Sequence, residues 1–202
     1  SRRFNLDLSS GPVGGWDSLD VNLFLGSYSL VLDRDRLPTA TTARQIESSD
    51  TDGNDGSLRA VAARPALGGR LQLGAEVVSR FGLESTTTRR LFNLAGDLAT
   101  MERTAAIADA QRLDTGLFAT WDRALGSSTV LSAGLRGDRV EAENQGGFFG
   151  DRSTSHEALS GFAALTASFT PELTGTVQVA RGFRDPTLSD RYFRGPSGRG
   201  FI

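Results

Sequence analysis

Apolar and polar residues alternate along most of this chain, in runs separated by turns and loops. In the clearest run, GRLQLGAEVVSR, every second residue from Leu71 to Val77 is apolar. Alternation with a period of two predicts a β-strand that has one apolar and one polar face. The clear runs lie at 3–9, 17–34, 69–80, 112–123 and 128–143, and weaker ones at 57–65, 157–169 and 174–183. The sequence therefore predicts an all-β, antiparallel fold of about eight long strands.

The connections between these runs alternate in length. Short ones at 10–16, 66–69, 124–127 and 170–173 alternate with long ones at 34–56, 81–111 and 143–156, and a tail begins at 184. Unstructured loops longer than about 12–15 residues are uncommon in compact soluble domains. Outer-membrane β-barrels combine short periplasmic turns with long extracellular loops. Predicted strands of roughly 9–13 residues also suit a tilted crossing of the bilayer. We expect a segment of a transmembrane β-barrel.

Polar side chains within the strands fit a water-filled barrel interior. Six charged strand residues would be costly in a dry core but are hydrated when they face an aqueous lumen. They are Asp20, Arg70, Glu76, Asp114, Arg136 and Asp138. A soluble sheet with one solvated face would show the same alternation. Trp16, Trp121 and Phe169 each lie beside a short turn, where a barrel carries its interfacial aromatic girdle.

Composition excludes several other classes of function. All 22 basic residues are arginine and are balanced by 24 acidic ones, so the chain has no basic footprint for nucleic acid. The chain has no cysteine, and His156 is its only histidine, so no Cys-based or His-based metal cluster and no Ser-His-acid triad can be built. No apolar run is long enough for a membrane helix. We expect no enzymatic activity and no cofactor.

Two segments break the alternation. DTDGNDGS, residues 50–57, has acidic spacing similar to a calcium loop, but Asp55 replaces the required glycine and Val61 the bidentate glutamate. We expect a polar loop tip there. The Ala-rich segment 94–111 predicts an extracellular loop carrying a short helix, either a plain loop feature or a binding lid.

The C-terminal part of the chain resembles TonB-dependent outer-membrane receptors. FTPELTGTVQVARGFRDPTLSDRYFRG, from Phe169, is similar to a run in that family, with Asp185 where alanine is commoner and Asp190 where glutamate is commoner. LDTGLFATWDRALGSSTVLSAGLRGDRVE, from Leu113, resembles the preceding hairpin of the family. The resemblance is specific over about 110–202 and rests on pattern alone over 1–110.

This resemblance implies a plugged barrel of 22 strands in the bacterial outer membrane. It implies active uptake of a scarce nutrient, such as an iron–siderophore complex, energised by the TonB complex through a plug domain. Both ends of an eight-stranded segment would lie on the extracellular side. We therefore expect residues 1–202 to be a partial barrel without its plug, in contact with outer-membrane lipid.

The resemblance places the Arg- and Tyr-rich tail at the extracellular surface. Candidate ligand-binding residues there are Arg181, Arg184, Arg191 and Tyr192. The alternative is that the three arginines pair with acidic residues of adjacent strands near the rim.

Two other functions compete with active transport. A passive porin would have the same kind of wall but no plug. A soluble β-sandwich for binding or adhesion would bury the Leu71, Leu73 and Val77 face against a second sheet.

Overall fold

The computed structural model describes residues 1–39, 43–192, 194–195 and 198–199. Eight antiparallel strands form one sheet, in which neighbours in sequence are neighbours in space. They are β1 (Arg2–Ser10), β2 (Ser18–Arg36), β3 (Gln45–Ala66), β4 (Gly69–Phe92), β5 (Leu98–Ala124), β6 (Thr129–Gln145), β7 (Asp151–Ser168) and β8 (Thr174–Arg181). The helix α1 (Leu188–Tyr192) and a small hairpin of β9 (Arg194–Gly195) and β10 (Gly198–Arg199) follow. The predicted all-β antiparallel fold is confirmed.

One side of the sheet, here called the outer face, is aliphatic. The register brings Leu135 of β6 beside Ala119 of β5 and Gly161 of β7, so apolar or small residues line up across strands. Leu117, Leu135 and Leu159 are 70%, 65% and 62% exposed. No second sheet covers them in the described ranges, which contradicts the soluble sandwich. Those ranges also contain no helix long and apolar enough to cross a membrane.

The strands are much longer than predicted, and the predicted long loops are wrong. β2 to β7 continue through most of 34–56, 81–111 and 143–156, and leave connections only at 37–44, 93–97 and 146–150. Residues 40–42 of the first of these lie outside the described part. Parts of these extensions are polar on both faces, as in Thr86–Thr88, which pairs with 48–50 of β3. Alternation detects a strand only where its two faces meet different surroundings, so it missed these extensions.

Both segments that break the alternation are also strands. Residues 50–57, predicted as a loop tip, lie within β3, and a β-bulge between Asp52 and Asn54 accommodates them. Most of 94–111, predicted as a loop with a helix, belongs to β5 and pairs with β4. Helix propensity is a weak prior, and the ladder of hydrogen bonds to β4 overrides the preference of alanine.

The three predicted girdle aromatics lie at the edge of the sheet that carries the connections 11–17, 67–68, 125–128 and 169–173. Trp16 forms an isolated bridge with Val13. Trp121 donates from Nε1 to the carbonyl oxygen of Ala66 at 3.1 Å. Phe169 is 69% exposed. Their position agrees with the sequence analysis, and their role as a membrane girdle stays a prediction.

Aromatic rings on the opposite side of the sheet cover glycines of the adjacent strand. Phe118 of β5 pairs with Gly74 of β4, and Phe162 of β7 pairs with Gly134 of β6. A Cβ atom on Gly74 would lie 2.1 Å from Cζ of Phe118. Any side chain there would overlap the ring, so glycine at this position is required by packing.

We expect Gly74→Ala to destabilise the barrel by about 1–3 kcal/mol, because the added methyl forces the Phe118 ring out of its place. Equilibrium unfolding in urea of the full-length protein in lipid vesicles measures the change. Gly137→Ala is the matched control, since a Cβ atom at Gly137 meets nothing within 4 Å. Equal losses from the two substitutions would contradict this packing role.

Candidate functional site

The side of the sheet opposite the outer face, here called the inner face, is polar and borders a cavity of about 800 Å³. All strands from β3 to β8 contribute to this inner cavity. Its charged lining residues are Arg59, Glu76, Arg112, Asp114, Asp138, Arg136, Arg181, Arg184 and Asp185. Of the six polar strand residues that the sequence placed in an aqueous interior, four line this cavity, namely Glu76, Asp114, Arg136 and Asp138, whereas Asp20 and Arg70 are not among its lining residues.

An ion-pair chain crosses three strands in the centre of the inner cavity. Arg136 of β6 lies 2.8 Å from Glu76 of β4 and 2.7 Å from Asp138. Gly116 of β5 lies between Glu76 and Asp138 in register. A Cβ atom on Gly116 would be 2.5 Å from Nη2 of Arg136, so the missing side chain lets the guanidinium reach across β5. The site depends on this glycine as much as on the charges.

A second ion-pair group, here called the Asp185 cluster, consists of Arg112, Asp114, Asp185 and Arg191. Arg112 of β5 donates from Nε and Nη2 to the carboxylate of Asp114 at 2.7 and 2.8 Å. Its Nη1 lies 3.2 Å from Asp185, whose side chain is only 3% exposed. Nη2 of Arg191 donates to both oxygens of Asp185, at 2.8 and 3.0 Å. A buried carboxylate is thus neutralised by two guanidinium groups.

The residues after β8 fold back over the inner face. Leu188 and Tyr192 of α1 are 1% and 3% exposed. They pack in a hydrophobic cluster with residues from β4, β5 and β6, namely Leu83, Ile107, Ala110 and Ala142. Burial of these two side chains holds α1 against the inner face at the end of the sheet away from the short turns.

A reciprocal cap starts α1. The hydroxyl of Thr187 accepts from the backbone N–H of Asp190 at 3.1 Å, and the Asp190 carboxylate accepts from the backbone N–H of Thr187 at 3.0 Å. This is a capping-box arrangement. The backbone hydrogen bond from Thr187, together with that from its hydroxyl, lowers the pKa of the Asp190 carboxyl. The carboxylate therefore stays ionised in its capping role.

The structure separates the four predicted site residues into two pairs. Arg184 is exposed and lines the inner cavity, and Arg181 borders it at the end of β8. Arg191 binds Asp185, which lies in its own segment and not in an adjacent strand. Tyr192 is buried in the hydrophobic cluster. Ligand binding by these residues stays a prediction.

Three residues of this site were missed from the sequence. Asp185 was treated as a mild departure from the family pattern, although a carboxylate in place of alanine signals a cationic partner. Arg112, the first residue of the run 112–123, was not singled out. His156 was set aside as a lone histidine, yet its Nδ1 lies 3.8 Å from Asp185. Its ring nitrogens are buried and have no hydrogen-bond partner among the described residues.

Comparison with known proteins gives one family and a similar solved structure. The family model described as "TonB dependent receptor-like, beta-barrel" matches residues 1–201. A solved chain described as "Copper transporter OprC" superposes with a TM-score of 0.73 at 15% sequence identity. The match covers 98% of this chain and 32% of the solved chain, so this chain spans about a third of that protein. No curated protein matches the sequence.

Proposed function

Since the chain belongs to the TonB-dependent receptor β-barrel family of the outer membrane, we propose that it forms part of the wall of a receptor that takes up a scarce nutrient. In this proposal the outer face contacts lipid and the inner cavity contributes to ligand passage or binding. A plug domain elsewhere in the protein couples uptake to the TonB complex. Residues 1–202 supply wall and rim, and the whole receptor performs the transport.

The contrast between the two faces of one sheet supports this proposal most strongly. Leu117 and Leu135 are largely exposed on the outer face, while the Glu76–Arg136 ion pair lies directly behind them. A sheet with aliphatic residues on one face and charges on the other separates lipid from water. Such a wall suits a receptor whose cargo crosses the membrane inside the barrel.

The charges of the inner cavity favour an anionic ligand. Arg136 and Arg112 are paired with carboxylates. Arg59 and Arg184 also line the cavity, and no ion pair to either is found in the described part of the chain. The Arg59 guanidinium lies 5.1 Å from the centre of the Phe118 ring. Guanidinium groups beside phenyl rings bind anionic, partly apolar molecules through charge-assisted hydrogen bonds and stacking.

An iron–siderophore complex is the cargo we propose. The similar solved structure is described as a copper transporter, so copper is the alternative cargo to be tested. Uptake of ⁵⁵Fe in ferric catecholate, hydroxamate and carboxylate complexes, and of ⁶⁴Cu, should be compared in cells with and without the full-length gene. We expect gene-dependent uptake of one ferric complex that stops when a protonophore collapses the inner-membrane proton gradient. Gene-dependent uptake that survives the protonophore would indicate a passive porin.

Arg184→Ala in the full receptor should weaken binding of the transported ferric complex by roughly tenfold, the loss of one charge-assisted hydrogen bond. Titration of the purified receptor with that complex, followed by intrinsic fluorescence, measures the dissociation constant. Arg139→Ala is the control, because Arg139 is exposed and pairs with Glu141 on the outer face. Unchanged affinity in both Arg184→Ala and Arg191→Ala would remove these arginines from the binding site.

A further inference from the structure

We propose that Asp185 is a positioning residue, whose carboxylate fixes the segment 182–187 against the inner face and so holds Phe183 and Arg184 at the inner cavity. This inference deepens the proposed function and rests on it for the meaning of the cavity. Whether the Asp185 carboxylate fixes the segment 182–187 can be tested without any ligand.

The segment 182–187 has few other means of keeping its conformation. It has no regular secondary structure and therefore no ladder of backbone hydrogen bonds. Pro186 has no N–H group, and its carbonyl oxygen accepts hydrogen bonds from Arg112 and Arg191, the same two residues that bind Asp185. The polar contacts that attach this segment to the sheet and to α1 are thus concentrated at Asp185 and Pro186.

Asp185 lies beside residues of β5 and β7, which are distant from it in sequence, and of α1, which follows it closely. Arg112 of β5 and Arg191 of α1 donate hydrogen bonds to its carboxylate. His156 of β7 lies beside it, with Nδ1 3.8 Å away and no hydrogen bond. Since β5 is fixed in the sheet, the contact with Arg112 ties a segment without regular secondary structure to the barrel wall. Arg184 precedes Asp185 by one residue and lines the cavity. The position of Arg184 at the cavity therefore depends on the contacts that fix the Asp185 carboxylate.

A distance measurement in the full receptor tests this directly. Nitroxide labels are attached at Arg184→Cys and at Ser127→Cys, which lies in the exposed connection after β5, in a receptor without other cysteines. Double electron–electron resonance then gives the distance distribution between the two labels. We expect one narrow distribution, which becomes broad when Asp185→Ala or Asp185→Asn is added. Asparagine keeps the shape of aspartate but cannot neutralise the two guanidinium groups.

Hydrogen exchange separates positioning from a general loss of stability. In unlabelled Asp185→Asn, amides of 183–192 should exchange at least about tenfold faster, while those of β5 to β7 keep their protection. Glu157→Gln is the control, because the Glu157 side chain is 76% exposed and its one ion pair among the described residues is with Arg139, at 3.8 Å. It should change neither measurement.

Two results would overturn the inference. One is a distance distribution as narrow in both Asp185 variants as in the parent receptor. The other is faster exchange spread evenly over β5 to β7, which would make Asp185 a general stabilising residue. If the distribution broadens but uptake of the ferric complex is unchanged, the positioning role holds and the assignment of the cavity as the ligand site fails.

Discussion

Val177→Arg is expected to destabilise the folded barrel by about 2–4 kcal/mol, whereas Gln178→Arg should change its stability by less than about 1 kcal/mol. The two residues are neighbours in β8 and lie at nearly the same depth. Val177 is on the outer face with 74% of its surface exposed, and Gln178 lines the inner cavity. An arginine that faces hydrocarbon has to be dehydrated, but one that faces the aqueous interior keeps its water.

Unfolding of the full-length receptor in lipid vesicles, followed by tryptophan fluorescence against denaturant, measures both changes. Both substitutions introduce the same arginine side chain at neighbouring positions of one strand, so they compare the two faces at constant size of the new side chain. Val177 lies between the short connection 169–173 and Arg181, so the substitution falls in the middle of the aliphatic part of β8. Similar losses at 177 and 178 would show that the outer face does not contact lipid in the way we describe.

Arg112→Ala should cost about 2–3 kcal/mol of unfolding free energy. The substitution removes one of the two guanidinium groups from Asp185, whose side chain is 3% exposed, and the only one found on Asp114 in the described residues. Breaking a fully buried pair costs more, about 3–5 kcal/mol, but Arg191 still binds Asp185 in the variant. The remaining charge of Asp114 is partly hydrated.

Arg139→Ala provides a matched control for this second substitution. Arg139 also sits in a strand and binds the acidic residue two positions later, Glu141, but its side chain is 57% exposed. Exposed ion pairs contribute about 0–1 kcal/mol. The same denaturant experiment on both variants compares the stability that a half-buried and an exposed ion pair contribute at the same spacing in sequence. A loss from Arg112→Ala no larger than that from Arg139→Ala would mean that the Asp185 cluster is hydrated and adds little stability.

The alternation of apolar and polar residues predicted strands correctly where one face of the strand meets lipid and the other meets water. It located the aliphatic stretch 71–77 and the polar residues opposite, and both lie where the analysis put them. It failed in the extensions, where Ser48 and Ser49 of β3 pair with threonines of β4 and both faces are polar. Backbone hydrogen bonding continues there without a hydrophobic signature, so strands were taken for loops.

The candidate site was predicted only in outline. The sequence named Arg184 and the polar inner residues, because each follows from its own strand or motif. It did not find that Asp185 binds Arg112, which is 73 residues away. It also did not show that Gly116 opens the gap through which Arg136 reaches Glu76. These contacts depend on the register of three strands together.

The amino-acid sequence by itself determined the class of fold and which side of the most clearly alternating strands is apolar, because a period of two is a local property of the chain. It left the facing of 157–169 open. Only the tertiary structure decided which charges meet and where the chain folds back after β8. Those contacts join residues from different strands, and their partners are set by strand register and by the burial of Leu188 and Tyr192. The period-two pattern of the sequence gives neither the strand register nor the burial of these two side chains.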